Sequence, residues 1–575
     1  MSKVRVACIS VYRHSSKGFR KKEKIMTFIN TRKSRLFKFL VGVMTFELVC
    51  YPIFPAFALP EGAQVKNGTV TFEESAGKLT VFQESGKAIV NYGSFNIGGA
   101  ESVQFVQPGA SSAILNRVIG GSSSTIAGSM SANGQVFLIN PAGILFSSSS
   151  QINVAGLVAS AMNMASEDFL EGRMKFSGGN GSVVNQGDIN AGYAYLIGGQ
   201  VDNSGNISAG DIVLAAGRQS VEIEKIEGGQ IRLIIDGAVE GEAGEGALAS
   251  EEPEEGVLII ELEDPAPEEP AAEATVRNEG TLEGTGGEVV IRSIDHVDLA
   301  EAGTISSAIT ETGSGKVDVF AGGNLRSQGT ITATGDIFLE GTLDVGGQIN
   351  GGGQLSVIGH SPVTIAIDIR ATGNITITAS ESGVGDDLTI KPGVTIQSTS
   401  GSVFLNAGDN LILSPGSSVQ AGGGDLIAIA GFTDNDGIGG AIIEGSLSAL
   451  RTIDLSAIED VAILAPQNTT GADITISGLN FDNTRGSIDT VGGTLTIDHS
   501  GTVDVNDDLI SQGGDIDIDV TTGNFNVNTA SIDASGGTAM GTVDVDIFNG
   551  NIDLDALSFV TSGADGDVDI RNITA

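Results

Sequence analysis

The segments "VNQGDINAG" (Val184–Gly192) and "DNSGNISAG" (Asp202–Gly210) share one sequence frame, and "RNEGTLEGT" (Arg277–Thr285) repeats it. The three copies align on Asn185, Asn203 and Asn278. Each copy reads Asn-x-Gly-x-(Ile/Leu) and is followed by a second short apolar run, "YAYLIGG", "DIVLAAG" or "GEVVIRS". Short alternating strands that repeat about every 20 residues are typical of a β-solenoid.

The repeat continues in looser form to the end of the chain, in "SQGTITATGDIFLEG", "SGSVFLNAGDNLIL", "RGSIDTVGGTLTID" and "TASIDASGGTAMGTVDVDI". One turn of the solenoid, a rung, cannot bury its Val, Ile and Leu alone, so rungs must stack. Gly and Asn are expected to supply left-handed corners. At about 20 residues and ~4.8 Å per rung, the mature chain predicts a rod of about 120 Å. A β-propeller is disfavoured, because its blades run to ~40 residues and use more aromatics.

The N-terminal segment is typical of a secretory leader. Residues 1–38 hold twelve Lys and Arg, and the apolar run "FLVGVMTFELVCYPIFPAFA" follows. Small residues at Ala56 and Ala58 predict cleavage after Ala58, so that residues 1–58 form a signal peptide with an extended basic region. A membrane anchor is the alternative, but Glu47 and two prolines leave the run short of ~20 clean apolar residues. Met26 is an alternative start.

Removal of this leader changes both the thiol content and the charge. The two cysteines lie within it, so the mature chain would form no disulfide and could not mispair in an oxidising periplasm. It would keep 18 of the 30 basic and 69 of the 71 acidic residues, a net charge of about −51. No nucleic acid is expected as a partner, because phosphate binding requires clustered Lys and Arg.

The β texture is interrupted at two places. Residues 240–274 are acidic and Pro-rich, which predicts a solvated insertion, with "VLIIEL" as a short extra strand; an interaction tail is the alternative. We expect residues 218–239 to be further rungs and residues 275–575 to be the repetitive coil. "SEDFLEG" (Ser166–Gly172) predicts a single short helix, with Ser166 as its N-cap.

Residue patterns for chemistry are sparse. His296, His360 and His499 are each isolated from the others by more than sixty residues, which favours structural roles. Asp515–Asp519 alternates Asp and Ile; this pattern indicates the outward face of a strand rather than paired catalytic carboxylates. "TDNDGIGG" (Thr433–Gly440) has part of a calcium loop but lacks its later acidic ligand, so a surface turn is favoured. We therefore expect no enzymatic activity, no cofactor and no metal site.

Residues 59–217 resemble the N-terminal secretion domain of the filamentous haemagglutinin family, the TpsA-type exoproteins of two-partner (type Vb) secretion. The segments that carry the resemblance occur in the family's order: "LPEGAQVKNGTVTF", "VNYGSFNIGGAESVQFVQP", "SSAILNRVIGG", "GSMSANGQVFLINPAGILF" and "INVAGLVASAMNM". The resemblance implies a right-handed parallel β-helix with an N-terminal cap. It also implies export by the general secretory translocon and then through an outer-membrane TpsB-type barrel with POTRA domains.

The family's Asn-Pro-Asn-Gly-Ile secretion motif falls on Asn140, Pro141, Ala142, Gly143 and Ile144. Ala142 replaces the family's second Asn, which predicts the loss of a side-chain bond across that turn. A second motif of some members, Asn-Pro-Asn-Leu, has no counterpart; "QPGASSAIL" (Gln107–Leu115) takes its place.

Three functions fit a secreted protein at the surface of a Gram-negative bacterium. The first is an adhesin or structural rod that binds an unknown surface receptor. The second is the β-helical carrier part of a longer toxin or enzyme, although no compositionally distinct C-terminal module follows the repeats. The third is a matrix protein that forms filaments.

Overall fold

The structure is a computed structural model that describes residues 58–226, 230–236, 273–307, 315–360, 362–379, 385–432, 437–536, 541–554, 558–560 and 567–573. Most of these residues lie in short strands whose neighbours are one rung away and parallel. Bonded side chains on neighbouring rungs are typically 18 to 28 residues apart in sequence. The fold is therefore the parallel β-helix that the repeat predicts, with rungs of somewhat variable length.

The strands form three faces, and four long strands bend from one face to the next. The first face contains Lys78–Gln83, Ser102–Val106, Ser129–Ala132, Gln151–Val154, Asp188–Gly198, Asn206–Ala216, Thr281–Gly284, Thr304–Ser307, Thr330–Ala333, Ile349–Gly351, Ile369–Ala371, Thr395–Ser398, Ser418–Ala421, Ser446–Ala449, Gln467–Asn468, Ile488–Asp489, Leu509–Ile510, Ser531–Asp533 and Ser558–Val560.

The second face continues Asp188–Gly198 and Asn206–Ala216. Its other strands are Lys87–Tyr92, Ala113–Val118, Gln135–Ile139, Gly156–Ser160, Val289–Ser293, Val317–Ser327, Ile337–Val345, Leu355–Gly359, Ile375–Ala379, Val403–Ala407, Leu426–Ala430, Thr452–Ala457, Asp473–Gly478, Leu495–His499, Ile516–Val520, Val543–Phe548 and Val568–Ile573.

The third face continues Val317–Ser327 and Ile337–Val345. Its other strands are Ser124–Ile126, Ile144–Phe146, Ser182–Asn185, Gln200–Asn203, Thr275–Asn278, His296–Leu299, Val363–Ile365, Leu388–Ile390, Leu411–Leu413, Ala441–Ile443, Val461–Ile463, Phe481–Asp482, Val503–Val505, Phe525–Val527 and Ile552–Leu554.

Alternation along each strand builds the core. In Ile375–Ala379 the two Ile side chains are buried and the two Thr side chains are partly exposed. Ile375 pairs with Leu355 on one side and Val403 on the other, so like residues form columns through the coil. Each such side chain contributes about 1.5–3 kcal/mol on burial, which only stacking can supply. The Asp-Ile segment follows the same rule, since Ile516 and Ile518 are fully buried between outward Asp residues.

Antiparallel strands cap the first rung. Gln64–Asn67 pairs with Lys87–Tyr92, and Val70–Ser75 pairs with Lys78–Gln83, both in antiparallel register. The two outer strands are largely exposed, whereas Leu59 just before them is buried in the main core. The predicted N-terminal cap is thus present, and it covers the edge that the first rung would otherwise expose.

The frame asparagines do not adopt the left-handed conformation that the sequence led us to expect. Asn185, Asn203 and Asn278 pair in register, are buried, and have negative φ. The Asn185 side chain donates to Asn203 Oδ1, and the Asn203 side chain donates to Asn278 Oδ1, both at 2.8 Å. Their recurrence at the same position of the frame therefore reflects a side-chain hydrogen-bond ladder inside the coil.

The frame glycines are required by close stacking rather than by φ. A Cβ at Gly205 would lie 2.2 Å from the carbonyl oxygen of Gly187, and one at Gly280 would lie 2.0 Å from that of Gly205. Neither distance is compatible with a side chain. The expectation of left-handed glycine is therefore wrong at these positions, although Gly143 and Gly416 do have positive φ at tight turns.

A small layer lies outside the coil, on the second face. Residues 218–239 were expected to form rungs; instead Ser220–Lys225 and Ile231–Ile235 form an antiparallel sheet with Met174–Ser177. Their apolar side chains bury the outward face of the coil, where Tyr195 and Val213 lie. Alternation alone does not distinguish this partner from the rung above.

The predicted short helix, Ser166–Glu171, belongs to this layer. Its N-cap is Ala165, which makes no side-chain cap bond, so the assignment of that role to Ser166 is wrong. Ser166 instead accepts a 3.3 Å bond from Arg117, whose guanidinium also bonds the Met164 carbonyl. Gly172 closes the helix with φ +84°. The "VLIIEL" segment and Thr433–Asp436 of the calcium-like loop lie outside the described residues.

Candidate recognition site

The Asn140–Ile144 corner joins the second and third faces near the cap. It connects Gln135–Ile139 to Ile144–Phe146. The Gly143 N–H donates to the Asn140 carbonyl at 2.9 Å, and the Ala142 N–H donates to Asn140 Oδ1 at 3.0 Å. Asn at the first position, Pro at the second and Gly at the fourth favour this turn, and Gly143 has φ +107°.

Asn140 also ties the corner to its neighbours. Its side chain is 1% exposed and donates to the Ser122 carbonyl at 2.9 Å and to Ser124 Oγ at 3.0 Å. Its own N–H donates to the Ser160 carbonyl at 2.9 Å. One buried carboxamide therefore closes the turn and holds two flanking segments in register.

The tip of the corner is exposed and closely supported from below. Pro141 and Ala142 face solvent, whereas Gly143 and Ile144 are buried. A Cβ at Gly181, in the next rung, would lie 2.6 Å from the Pro141 carbonyl oxygen. Ala142 contributes only its N–H, and the side-chain bonds across the turn come from Asn140. The corner thus presents a small apolar tip on a fixed polar base.

Gln107 forms a second buried polar corner, whose role the sequence did not reveal. It is 5% exposed; its side chain donates to Gln83 Oε1 at 3.0 Å and to the Ser112 carbonyl at 3.2 Å. Asn133 exchanges two 2.7 Å bonds with the Gln107 backbone. The sequence placed Gln107–Leu115 only at the position of an absent motif, and no sequence signal distinguishes the buried Gln107 from the partly exposed Gln104 three residues earlier.

The histidines and carboxylates do not converge on a reaction centre. His296 accepts a bond from the Asn324 N–H at 3.1 Å, and His360 lies 3.8 Å from Glu340. His499 is buried against Phe481, and burial lowers its pKa to about 4. Across the described ranges, no group of three or more His, Cys, Asp or Glu is placed to hold a metal ion. Over the same residues, no helix has the length and apolarity needed to cross a membrane.

The described residues form a capped β-helical domain in which hydrogen bonds fix the Asn140–Ile144 corner. The chain belongs to the TPS secretion domain family, because the model of that family matches residues 56–357. It is therefore a two-partner secretion exoprotein, secreted through the periplasm to the surface of a Gram-negative bacterium.

Two curated relatives are similar to part of this chain. A heme/hemopexin-binding protein of Haemophilus influenzae is 40% identical over 126 residues, which are 22% of this chain and 13% of that protein. A second, from the Rd strain, is 35% identical over 173 residues, or 28% and 19% of the two chains. The chain thus spans less than a fifth of each relative's length.

Two solved structures are similar to this chain. The HMW1 secretion domain from Haemophilus influenzae has a TM-score of 0.38 and 22% identity, with 75% of this chain and 98% of that chain covered. The filamentous hemagglutinin secretion domain has a TM-score of 0.28 and 17% identity, with 64% and 98% covered.

Proposed function

We propose that the outer-membrane partner recognises this domain at the Asn140–Ile144 corner and that the remaining coil serves at the cell surface as an adhesive or structural rod. The proposal of recognition at this corner is supported by the contrast between its buried, hydrogen-bonded base and its exposed apolar tip. A buried carboxamide with three hydrogen bonds fixes a tip whose two residues, Pro141 and Ala142, make no side-chain hydrogen bond. A fixed and exposed apolar tip suits recognition by a periplasmic POTRA domain, because little freedom is lost on binding.

We infer that folding of the coil outside the cell biases its transport outward. After delivery to the periplasm by the general secretory translocon, the chain crosses the barrel unfolded and adds rungs outside. Each new rung pairs mainly with the previous one, so folding proceeds stepwise and opposes backward movement. Substitution of several buried Ile residues in distal rungs is expected to slow secretion.

A secretion assay separates recognition from architecture. With the partner transporter co-expressed, Pro141→Ala is expected to reduce the secreted fraction at least several-fold while leaving β-content and Tm unchanged. The matched control is Pro415→Ala, at another exposed Pro-Gly turn, where Gly416 has φ +75°. Full secretion of Pro141→Ala would contradict the proposal and leave the corner with a purely architectural role.

The surface activity of the rod requires a separate assay. The high acidic content favours contact with cationic or weakly charged surfaces and keeps neighbouring rods apart. Because two relatives are named as heme/hemopexin-binding proteins, haem-loaded hemopexin is the first soluble ligand to test. Purified secreted protein is expected to bind cells or hemopexin in a pull-down; filaments seen by electron microscopy without such binding would favour the matrix alternative.

A further inference from the structure

Glu101 is a buried carboxylate at the cap of the coil. It is 7% exposed and immediately precedes the strand Ser102–Val106. Both of its carboxylate oxygens accept the backbone N–H of Ala58 at 3.0 Å, and one also accepts the Gly98 N–H at 2.7 Å. Within the part of the chain that the structure describes, no Lys, Arg or His forms an ion pair with it. A buried carboxylate held only by amides is costly, because no positive charge offsets its desolvation.

The residue that bonds Glu101 is also the one that the sequence places at the signal cleavage site. Hydrolysis of the Ala58–Leu59 peptide bond consumes one water, leaves a carboxylate on Ala58 and creates an α-ammonium group on Leu59. Consecutive backbone nitrogens are three bonds apart, at most about 3.7 Å. The Leu59 side chain is 6% exposed and packs in the main core, which holds the new terminus beside Glu101.

We propose that Glu101 binds the α-ammonium group that signal removal creates at Leu59, so that processing itself strengthens the cap. The neutral Ala58 amide departs with the leader, and a charged donor takes its place. A charge-assisted bond to a carboxylate is shorter and stronger than a neutral one. The ion pair also provides the positive charge that Glu101 lacks before cleavage. This inference rests on the predicted signal and is independent of the Asn140–Ile144 corner.

The ion pair has a defined pH signature. A nearby carboxylate raises the pKa of an amine, so the added cap stability is complete below the ordinary α-amino pKa of about 7.7–8.0 and disappears as pH rises through the higher folded pKa. Two other charged groups lie near this site. Lys78, on the paired strand, donates to Gln104 at 2.8 Å, and Glu61 is exposed near the terminus.

The secreted full-length protein, recovered from the medium, allows a direct measurement. N-terminal mass spectrometry is expected to find Leu59 as the first residue. The pH dependence of α-amine acetylation is expected to give a pKa at least about one unit above the ordinary value. Glu101→Gln, which keeps the acceptor but removes the charge, is expected to abolish that shift. The matched control Glu84→Gln alters an exposed carboxylate of the same domain and is expected to leave it intact.

Hydrogen exchange in the cap gives a second measurement that needs no variant. Acetylation of the wild-type α-amine is expected to accelerate exchange in Val70–Ser75 and Lys78–Gln83 about tenfold, with no change in distal rungs. A different first residue, an α-amine pKa unaffected by Glu101→Gln, or unchanged exchange after acetylation would each overturn the proposal. None of these outcomes depends on the secretion yield of Pro141→Ala, so the two proposals can fail separately.

Discussion

Replacement of Asn203 by alanine interrupts the buried asparagine ladder at its centre. The change removes two 2.8 Å bonds, one from Asn185 and one to Asn278, and a 3.3 Å bond to the Gly205 carbonyl. The Asn278 oxygen then loses its ladder donor, whereas the Asn185 side chain keeps a 3.2 Å bond to the Gly187 carbonyl. A buried polar atom left without a partner costs about 1–3 kcal/mol, and the lost bonds and small cavity add about 1 kcal/mol. We expect a local destabilisation of about 2–4 kcal/mol.

Hydrogen exchange is the appropriate assay, because a repetitive coil opens locally and a single global transition cannot be assumed. A loss of 2–4 kcal/mol predicts that amides of Gln200–Asn203 and its two neighbouring strands exchange roughly 30-fold to 10³-fold faster. The matched control is Asn206→Ala, three residues after Asn203, which removes an exposed 2.8 Å bond to Asp188 on the neighbouring rung. We expect that control to cost less than about 0.5 kcal/mol.

An aspartate at position 203 sharpens the comparison. It preserves shape but places a carboxylate oxygen opposite Asn278 Oδ1, so two acceptors face each other where a donor is required. Asn203→Asp is therefore expected to cost at least as much as Asn203→Ala. The ladder argument is refuted if Asn203→Ala exchanges no faster than Asn206→Ala, since the buried bonds would then contribute no more than an exposed one.

Three further predictions concern the core, the stacking and the outer layer. Burial lowers the pKa of His499 from 6.5 to about 4, so between these values the unfolded chain binds a proton that the folded chain does not. The local stability of Leu495–His499, measured by hydrogen exchange corrected for intrinsic rates, should therefore fall by up to about 3 kcal/mol from pH 6.5 to pH 4, and His499→Leu should remove that part of the pH dependence. Gly280→Ala would place a Cβ 2.0 Å from the Gly205 carbonyl oxygen and should accelerate amide exchange in Thr281–Gly284, whereas Gly86→Ala, with open space around it, should not accelerate exchange in its neighbouring strands. Lys87 donates to the carbonyls of Phe169 and Leu170 at the end of the short helix. Lys87→Ala should therefore increase proteolysis of that helix without altering the coil. Unchanged cleavage would contradict the role of Lys87 in holding the helix.

The fold was predictable because a β-helix repeats its physical requirements in every rung. Inward apolar residues, tight corners and a recurring frame predict stacked parallel strands without any long-range information. The same frame does not reveal how its Asn and Gly residues stabilise the coil. Their backbone preferences predict left-handed corners at Asn185 and Gly187. Instead, Asn185 acts through a side-chain hydrogen bond, and Gly187 is required because a Cβ there would clash with the neighbouring rung. Both the hydrogen bond and the close stacking involve the neighbouring rung, so the sequence of one segment does not reveal them.

The outer layer was less predictable for a related reason. Ser220–Lys225 alternates apolar and polar residues as any rung does, and its true partner lies in Met174–Ser177 rather than in the coil. Alternation specifies that one side of a strand is buried but not what buries it. Pro141 and Gly143 indicate a turn at the Asn140 corner from sequence alone, whereas only the family motif links that turn to secretion. The buried role of Gln107 was not predictable, because a buried amide and an exposed one look alike in sequence.

The distribution of buried polar groups suggests how the register of the coil is set. Apolar columns tolerate a slip by one rung, since Ile, Leu and Val replace one another at little cost. Hydrogen-bonded side chains do not, because a slipped register leaves donors and acceptors unpaired in the core. Such groups occur at Gln107 and Asn140 near the cap, in the Asn185–Asn278 ladder, and again at Gln467 and Asn483 in distal rungs. A chain that folds from the cap therefore meets a residue that fixes the register at several points along the coil, and the interchangeable apolar rungs between these points are held in place by them.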